Sequence, residues 1–329
     1  MKRSTFLKVF LCAGFSGLLG AAHPADNQAF PNKAIKIVVP YAPGGGTDIL
    51  ARTLAERMRT SLGQPVIVEN KSGAAGNLGV DAVAKAEPDG HTITLALSSN
   101  LMINQFLYTR LPYKPDKDLT LVAKIADAPL VLVVNASVPA NNGTELRAYI
   151  RENRGKLSYG SFGAGTISHM SASRISEISG GDMTHAPYRG ETPMIQDVVA
   201  GLIPMAFATG AQAPQFIAAG KLKAIGVTGT TPIPSLPNVP TLAEAGFDDP
   251  LLRAVGWVGI AVPAGTPKHI VQRLAEVIEQ ATRQADFQER IRTLGWLPSY
   301  QGPDNIAATY KREAPMWQQV IRRSGVTLD

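Results

Sequence analysis

Short β-branched runs alternate with amphipathic stretches along most of this chain, and this alternation restricts the fold more than any other feature. The run at residues 35–39 is followed by residues 48–62, where apolar side chains recur every four positions, as on one face of a helix. Similar pairs continue to Leu97, and a second series begins after the run at residues 130–134. Strands interleaved with helices predict parallel sheets flanked by helices. Two such series in 329 residues predict two lobes, because one core seldom holds so many residues.

Turn residues set the limits of the predicted elements. The patterns predict strands at residues 35–39, 66–68, 92–97, 157–161, 184–188, 204–208 and 224–227, and helices at residues 48–62, 76–86, 144–153, 167–179, 193–200 and 270–285. A proline-dense segment before Trp257 predicts an irregular covering loop, because proline lacks the backbone donor that a regular element needs. The chain from Thr266 onward is predicted to be mostly helical.

The amino-terminal segment has the layout of a secretory signal peptide. Three basic residues among the first eight lie at the start of an apolar stretch that ends near residue 20, and small residues follow up to Ala22. The stretch is shorter than the roughly 20 residues that a membrane-spanning helix needs. We therefore predict a signal peptide over residues 1–22, with Ala25 as the alternative cleavage point, and a mature protein in the periplasm.

Composition narrows the possible partners. The only cysteine, Cys12, lies inside the predicted signal peptide, so the mature chain is expected to hold neither a disulfide nor a cysteine-ligated metal. The formal charge of +6 includes the three basic residues of that peptide, which leaves about +3. Such a mild excess, without a dense Lys/Arg cluster among aromatic residues, does not indicate nucleic-acid binding. No cofactor and no metal ion are predicted.

A glycine-rich segment joins the first predicted strand to the first predicted helix. This first loop reads Pro-Tyr-Ala-Pro-Gly-Gly-Gly-Thr-Asp over residues 40–48, at the strand end where open α/β sheets bind ligands. Glycines let the backbone turn tightly, and the N-terminus of the following helix favours an anion. An ordinary turn capped by Thr47 or Asp48 explains the same spacing, so both interpretations stay open at this point.

The second series repeats this device. Residues 158–166 read Ser-Tyr-Gly-Ser-Phe-Gly-Ala-Gly-Thr, and residues 161–166 form a second loop between a strand and a helix. The hydroxyl groups of Ser161 and Thr166 can donate to a carboxylate beside backbone N–H groups. A matched pair of loops on two lobes favours anion binding over plain turn chemistry. Neither loop fits a nucleotide motif, because the first lacks the Gly-Lys-Ser/Thr ending and the second has Ser168 in place of the third glycine.

Catalytic and metal-binding patterns are weak in this chain. The five histidines form no pair at metal-ligand spacing, and a lone histidine is usually a structural residue. His169 lies one turn into the helix after the second loop, where a cleft role competes with capping and packing. The chain holds neither a Gly-x-Ser-x-Gly motif nor a zinc-protease His-Glu pattern. Tyr41 and Tyr188 follow strands and can line a cleft, although half-buried packing is the competing interpretation.

Taken together, these motifs resemble those of the Bug-type extracytoplasmic solute-binding receptors of the tripartite tricarboxylate transporter family. The resemblance covers essentially the whole mature chain. It includes the first loop, the stretch from the second loop to His169, the motif Pro-Asn-Val-Pro-Thr at residues 237–241 and the motif Pro-Ala-Gly-Thr-Pro at residues 263–267. So many ordered matches make the resemblance specific.

The resemblance implies a two-lobe α/β periplasmic binding protein of type II, with mostly parallel sheets and a ligand cleft that closes between the lobes. Lobe one would comprise residues 26–133 and 254–329, and lobe two residues 134–253. No catalytic activity is implied. A monomeric receptor would capture a small carboxylate and deliver it to the membrane subunits of the transporter, and dicarboxylates, tricarboxylates, amino acids and aromatic acids all remain open as ligands.

The resemblance also implies which residues bind the ligand. The two loops would clamp a carboxylate from opposite sides, mainly through backbone N–H groups and ordered water. The first loop would contribute Tyr41, Ala42, Gly44, Gly45, Thr47 and Asp48, and the second Ser161, Gly165 and Thr166. Ser98, Ser99, His169 and Tyr188 complete the candidate ligand-binding set.

The sequence departs from the family pattern at two places. Gln105 stands where the family usually has proline after Asn104, near the expected cleft, and residues 230–232 replace the usual basic residue before the proline-rich loop. Two other functions stay open from the sequence. One is a secreted hydrolase or lyase that uses a cleft carboxylate with His169 or His185, and the other is a receptor that only signals.

Overall fold

The computed structural model describes residues 30–188, 190–324 and 326–329, so the predicted signal peptide lies outside the described residues. Eleven strands lie in these ranges. In chain order they are β1 (Ile35–Val39), β2 (Val66–Asn70), β3 (Thr92–Leu97), β4 (Leu119–Ala128), β5 (Leu130–Asn135), β6 (Ser158–Ser161), β7 (Thr184–Pro187), β8 (Met205–Thr209), β9 (Leu222–Val227), β10 (Gly256–Pro263) and β11 (Leu297–Gln301). They form a first sheet of order β11-β4-β10-β3-β1-β2 and a second sheet of order β7-β6-β8-β5-β9.

Helices flank both sheets. In the described ranges they are α1 (Gly46–Leu62), α2 (Asn77–Ala84), α3 (Pro115–Asp118), α4 (Gly143–Glu152), α5 (Ile167–Ile178), α6 (Glu191–Val199), α7 (Ala213–Ala218), α8 (Pro250–Arg253), α9 (Lys268–Thr282), α10 (Ala285–Thr293) and α11 (Pro303–Ser324). A short π-helical turn at Ser99–Ile103 follows β3. None of the described helices is long and apolar enough to cross a membrane.

The first helix shows how local sequence sets these elements. Leu50, Leu54 and Met58 recur every four residues on α1 and are fully buried, as expected for one apolar face of a helix. Gly63 ends the helix in the left-handed region at φ 65°, and its amide donates to the carbonyl of Arg59 at 3.0 Å. Glycine is the residue that adopts this conformation without strain, so the helix stops where the sequence predicts.

The two-lobe α/β architecture is confirmed, but each sheet is mixed rather than mostly parallel. β1 runs parallel to β2 and β3, whereas β10 runs antiparallel to β3 and β4. In the second sheet β6 is parallel to β7 and β8, whereas β5 is antiparallel to β8 and β9. Antiparallel neighbours need no crossover helix. The strands that carry the chain between the sheets can therefore enter the sheet interiors directly.

The passage from the first sheet to the second takes a single residue. β4 ends at Ala128 and β5 begins at Leu130, so residues 130–133, which are predicted to belong to lobe one, lie in a strand of the second sheet. All residues of β5 and of β10 are buried. Continuous apolar runs of this kind belong to strands covered on both faces, which explains why both strands lie inside their sheets.

The carboxyl-terminal part is mostly helical, as predicted, because α9, α10 and α11 cover most of residues 266–329, but it also contains one strand. β11 follows α10 and pairs with β4 at the edge of the first sheet, and the predicted helix at residues 270–285 ends three residues early, at Thr282. The proline-dense segment between β9 and α8 contains no regular helix or strand among the described residues. It lies against β9, where the Val227 amide donates to the carbonyl of Pro240 at 2.9 Å.

Candidate functional site

The first loop joins β1 to α1 at the carboxyl end of β1. Gly44 has φ 83°, and Gly45 takes an extended conformation immediately before the helix. Ala42, Gly44 and Gly45 are exposed, whereas Thr47 and Asp48 are buried on the first turn of α1. The backbone of the loop therefore faces solvent at the positive end of a helix, where an anion is favoured.

Asp48 holds the first loop in shape. Its carboxylate accepts hydrogen bonds from the Gly44 amide at 2.9 Å, from Asn70 Nδ2 at 2.9 Å and from Arg52 Nε at 3.1 Å. Burial acts to raise the pKa of Asp48, but the hydrogen bonds from Arg52, the Gly44 amide and Asn70 outweigh it and lower the pKa below its ordinary value. The carboxylate is thus ionised and already engaged within lobe one.

A buried network of amides anchors Tyr41 behind the first loop. The Tyr41 hydroxyl donates to Asn100 Oδ1 and accepts from the Leu97 amide. Asn100 Nδ2 in turn donates to Asn77 Oδ1 at 2.9 Å, which Asn104 Nδ2 also contacts, at 2.6 Å. Burial raises the pKa of the Tyr41 hydroxyl, so it stays protonated. These asparagines are not among the predicted site residues, and their only sequence signal is their position, at the first residue of α2 for Asn77 and after β3 for Asn100 and Asn104.

Two further candidates, Ser98 and Ser99, lie at the end of β3. Both are buried, and Ser98 Oγ accepts a hydrogen bond from the Trp257 amide at 3.2 Å. Ser98 thus joins the end of β3 to the start of β10. Gln105, the departure from the family pattern, donates to the Met102 carbonyl and to the Tyr310 hydroxyl, both at 2.6 Å. Its amide is therefore bonded to α11 of the same lobe.

The second loop joins β6 to α5 and is closed by its own hydroxyl groups. Ser161 is fully buried, and its Oγ accepts from the Gly163 amide at 3.2 Å. Thr166 caps α5, because its Oγ1 accepts from the His169 amide at 3.3 Å. Gly163 and Gly165 both have positive φ, at 139° and 78°. The loop therefore repeats the geometry of the first loop, with glycines ahead of a helix N-terminus.

Two histidines stack beneath the second loop. The rings of His169 and His185 lie 3.8 Å apart between centroids, with an angle of 11° between their planes. His169 Nδ1 accepts from the Gly165 amide at 3.1 Å, and a hydrogen bond of 2.7 Å joins His185 Nε2 to Ser161 Oγ. Burial, and then the charge of His185, lower the pKa of His169 to about 4. Both positions are in the sequence, but their contact depends on β7 lying beside β6.

Tyr188 borders the same loop. Its amide donates to the Ser161 carbonyl at 3.0 Å, and its hydroxyl donates to Asp197 Oδ2 at 2.6 Å. Burial, together with the bond to the Asp197 carboxylate, raises the pKa of the Tyr188 hydroxyl to about 12. Its neighbour Arg189 lies outside the described residues.

The two lobes touch near both loops. A Cβ atom added at Gly295, between α10 and β11, would lie 2.3 Å from the backbone of Gly210 and Ala211, which follow β8. One added at Gly46, in the first turn of α1, would lie 3.0 Å from the ring of Trp296. On the other side, a Cβ at Gly165 would lie 2.4 Å from the side chain of Leu107. Each loop is therefore linked to the opposite lobe through close contacts.

No metal centre is visible in the described ranges, which contain no group of three or more His, Cys, Asp or Glu residues placed to hold an ion. The groups at the two loops are instead backbone amides, hydroxyls, amide side chains and neutral imidazoles. This arrangement can bind an anion by hydrogen bonding at two helix N-termini.

Comparisons with known proteins agree with this geometry. The profile of the TctC family, described as tripartite tricarboxylate transporter family receptor, matches residues 50–326. A relative from Pseudomonas sp. (strain P51), the UPF0065 protein in the tcbD-tcbE intergenic region, is 39% identical over 89% of this chain and 87% of its own length.

Solved structures extend the likeness to the whole fold. The periplasmic binding protein BugD is 33% identical, with a TM-score of 0.80 over 91% of this chain and 99% of its own. An R. palustris protein with adipate is 30% identical, with a TM-score of 0.82 over 91% of this chain and 99% of its own. MatC from Rhodopseudomonas palustris, with bound malate, is 32% identical, with a TM-score of 0.78 over 89% of this chain and 100% of its own.

Proposed function

The chain belongs to the family of tripartite tricarboxylate transporter receptors, and from this premise we propose that it captures a small carboxylate between its two lobes and delivers it to the membrane subunits of its transporter. The observation that carries the proposal is the matched pair of loops at the N-termini of α1 and α5. Adipate and malate, held by two similar structures, are both carboxylates.

The ligand would bridge the lobes by occupying both loops. Its carboxylate would accept from exposed amides of the first loop at Ala42 and Gly45, and would approach the second loop near Gly165 and Thr166, while the Gly44 amide stays bonded to Asp48. Because only the closed arrangement satisfies both sets of donors, the ligand shifts the open and closed populations toward closed. The close approach of Gly295 to Gly210 supports a closed state in which the lobes make direct contact.

The remaining candidates then act from behind the loops. Asp48, Ser98 and Ser99 are buried in lobe one, and we assign Asp48 and Tyr41 to positioning the first loop. Ser161 and His169 hold the second loop through Gly163 and Gly165. Tyr188 would line the site beside the second loop.

The order of the strands supports the lobe limits that we propose. We place the first crossing at Pro129, between β4 and β5, and the return before β10. Lobe one then contains both ends of the described chain and lobe two its middle. Residues 1–22 would be the signal peptide, cleaved after Ala22, that directs the mature, monomeric receptor to the periplasm.

Binding without turnover is part of the proposal. Ser161 and His185 form the one hydroxyl–imidazole contact at the second loop that suggests a nucleophile and its base. The Ser161 side chain is fully buried, and among the described residues no carboxylate forms an ion pair with His185 that would orient its ring. Mass spectrometry of the bound acid before and after long incubation tests this point, because any product would contradict it.

A thermal-shift screen tests the carboxylate site directly. Mature protein is refolded to remove carried-over ligand and heated with a panel of small carboxylates and their amides. We expect at least one acid to raise the melting temperature by several degrees while its amide does not, because a ligand that binds only the native state stabilises it by mass action. A panel without any shift would contradict the proposal.

Ser161→Ala should weaken binding of that acid by about 1 to 3 kcal/mol, measured by calorimetry. The change leaves the Gly163 amide and His185 Nε2 without the hydroxyl that each contacts, so the second loop loses its shape. Ser171→Ala is the matched control. Ser171 is a buried serine on α5 whose Oγ makes no hydrogen bond within the described part of the chain. Equal affinity for both variants would contradict this role of Ser161.

A further inference from the structure

A carboxylate that the proposed site does not yet use lies at the first residue of α6. Glu191 Oε1 accepts from the Thr209 amide at 2.5 Å, and Glu191 Oε2 accepts from Thr209 Oγ1 at 2.8 Å. In both hydrogen bonds Thr209 donates and Glu191 accepts, as an ionised carboxylate requires. Each oxygen keeps a lone pair for a further donor.

Glu191 lies near the contact between the two lobes. Thr209 is the last residue of β8, and the next residue, Gly210, is the one that Gly295 of the opposite lobe approaches. Trp296, next to Gly295, packs against Gly46 of the first loop. The contacts of Gly210 with Gly295 and of Trp296 with Gly46 thus connect the region of Glu191 with the first loop of the opposite lobe.

The charge of Glu191 has no counterpart in the described part of the chain. No Lys, Arg or His of those ranges lies within the 4.0 Å of an ion pair with it, and burial raises its pKa to about 7. A half-buried carboxylate without a cation beside it is less favourable than an exposed one, and a ligand cation would offset that cost.

We propose that Glu191 is a specificity-determining residue of the ligand site, which selects carboxylates that carry an ammonium group at their far end and rejects those with a second carboxylate. This inference rests on the proposed function. The two loops would hold the ligand carboxylate, and Glu191 would accept hydrogen bonds from the ammonium group. A second carboxylate placed there would meet a fixed negative charge of the same sign.

Ligands matched in length test this inference. Calorimetry at pH 8, where Glu191 is ionised, compares three sets: 4-aminobutanoate, succinate and butanoate; 6-aminohexanoate, adipate and hexanoate; and 4-(aminomethyl)benzoate, terephthalate and 4-methylbenzoate. In at least one set we expect wild type to bind the amino acid roughly 10- to 100-fold more tightly than the diacid, the ratio for a hydrogen bond between charged groups. Glu191→Gln should abolish that preference, because the amide keeps the shape and loses the charge.

Glu244→Gln is the matched control. Glu244 also accepts from the amide and the Oγ1 of a single threonine, Thr241, in the same lobe, but it is exposed, so this variant should keep the preference. A wild type that binds acids but prefers the amino acid over the diacid in none of the three sets, or a preference that survives in Glu191→Gln, would overturn the inference and leave the proposed function intact. Because the wild-type ratio needs no variant, poor folding of Glu191→Gln does not prevent a decision. Failure of every acid in all three sets would overturn the proposed function as well.

Discussion

Gly295→Ala should weaken binding of the acid found by thermal shift roughly 5- to 150-fold, whereas Gly63→Ala should leave the affinity near that of wild type. Both glycines have positive φ, at 70° and 65°, so alanine carries a similar backbone strain at either position. They differ in their surroundings. A Cβ at Gly63 meets no atom within 4 Å, whereas a Cβ at Gly295 would lie 2.3 Å from the backbone of Gly210.

The reason is that the clash at Gly295 exists only when the lobes are together. Backbone atoms cannot rotate away from a new methyl group, so the closed state loses free energy that the open state keeps, about 1 to 3 kcal/mol for overpacking. Apparent affinity falls with the population of the binding-competent state. Calorimetry gives the affinities, and small-angle scattering with ligand shows whether the variant stays open. A Gly295→Ala variant that binds as tightly as Gly63→Ala would contradict closure through this contact.

His169 alone should lower the free energy of unfolding of the wild-type protein by about 3 kcal/mol between pH 7 and pH 4. The pKa of His169 drops from an ordinary value of 6.5 to about 4 in the folded protein. Between these two values the unfolded chain binds the proton and the folded protein does not, so acid favours unfolding. The contribution is fully present above pH 6.5 and is lost as the pH falls toward 4. Burial also lowers the pKa of His185, which acts in the same direction.

Urea unfolding of wild type and of His169→Asn across this pH range measures this effect. Asparagine offers Oδ1 to the Gly165 amide, which His169 Nδ1 accepts in wild type, but it takes up no proton. The stability difference between wild type and His169→Asn should therefore shrink by about 3 kcal/mol from pH 7 to pH 4. His269→Asn, at an exposed position of α9, should run parallel to wild type. A constant difference for His169→Asn would show that the ring is not held neutral by the fold.

Much of the fold could be predicted because local pattern and turn residues coincide with the elements. The strand at residues 35–39 and the strand at residues 92–97 match β1 and β3 residue for residue, and α1 ends at the predicted Leu62. The strands β4, β10 and β11 were not predicted. β4 carries Lys124 and Asp127 within its run, and their polarity interrupts the alternation that reveals a half-buried strand.

The candidate site also has one part that the sequence predicts and another that it does not. Both glycine loops are visible in the sequence, because glycine before a helix is a local requirement of backbone geometry and each loop forms within a few residues. The partners behind the loops are not local. Asn100 lies 59 residues from Tyr41, and His185 lies 24 residues from Ser161.

The amino-acid sequence alone thus determined the α/β class, the two lobes, the family and the two loops, since these depend on periodicity, turn chemistry and motifs of neighbouring residues. Only the tertiary structure decided that the sheets are mixed, that His169 stacks on His185, that Glu191 bonds to Thr209, and that Gly295 approaches Gly210. Strand order and lobe contact bring these pairs together. Burial then sets the protonation of the titratable groups among them. Strand order and burial both depend on residues that are far apart in the chain, so neither can be deduced from the local sequence.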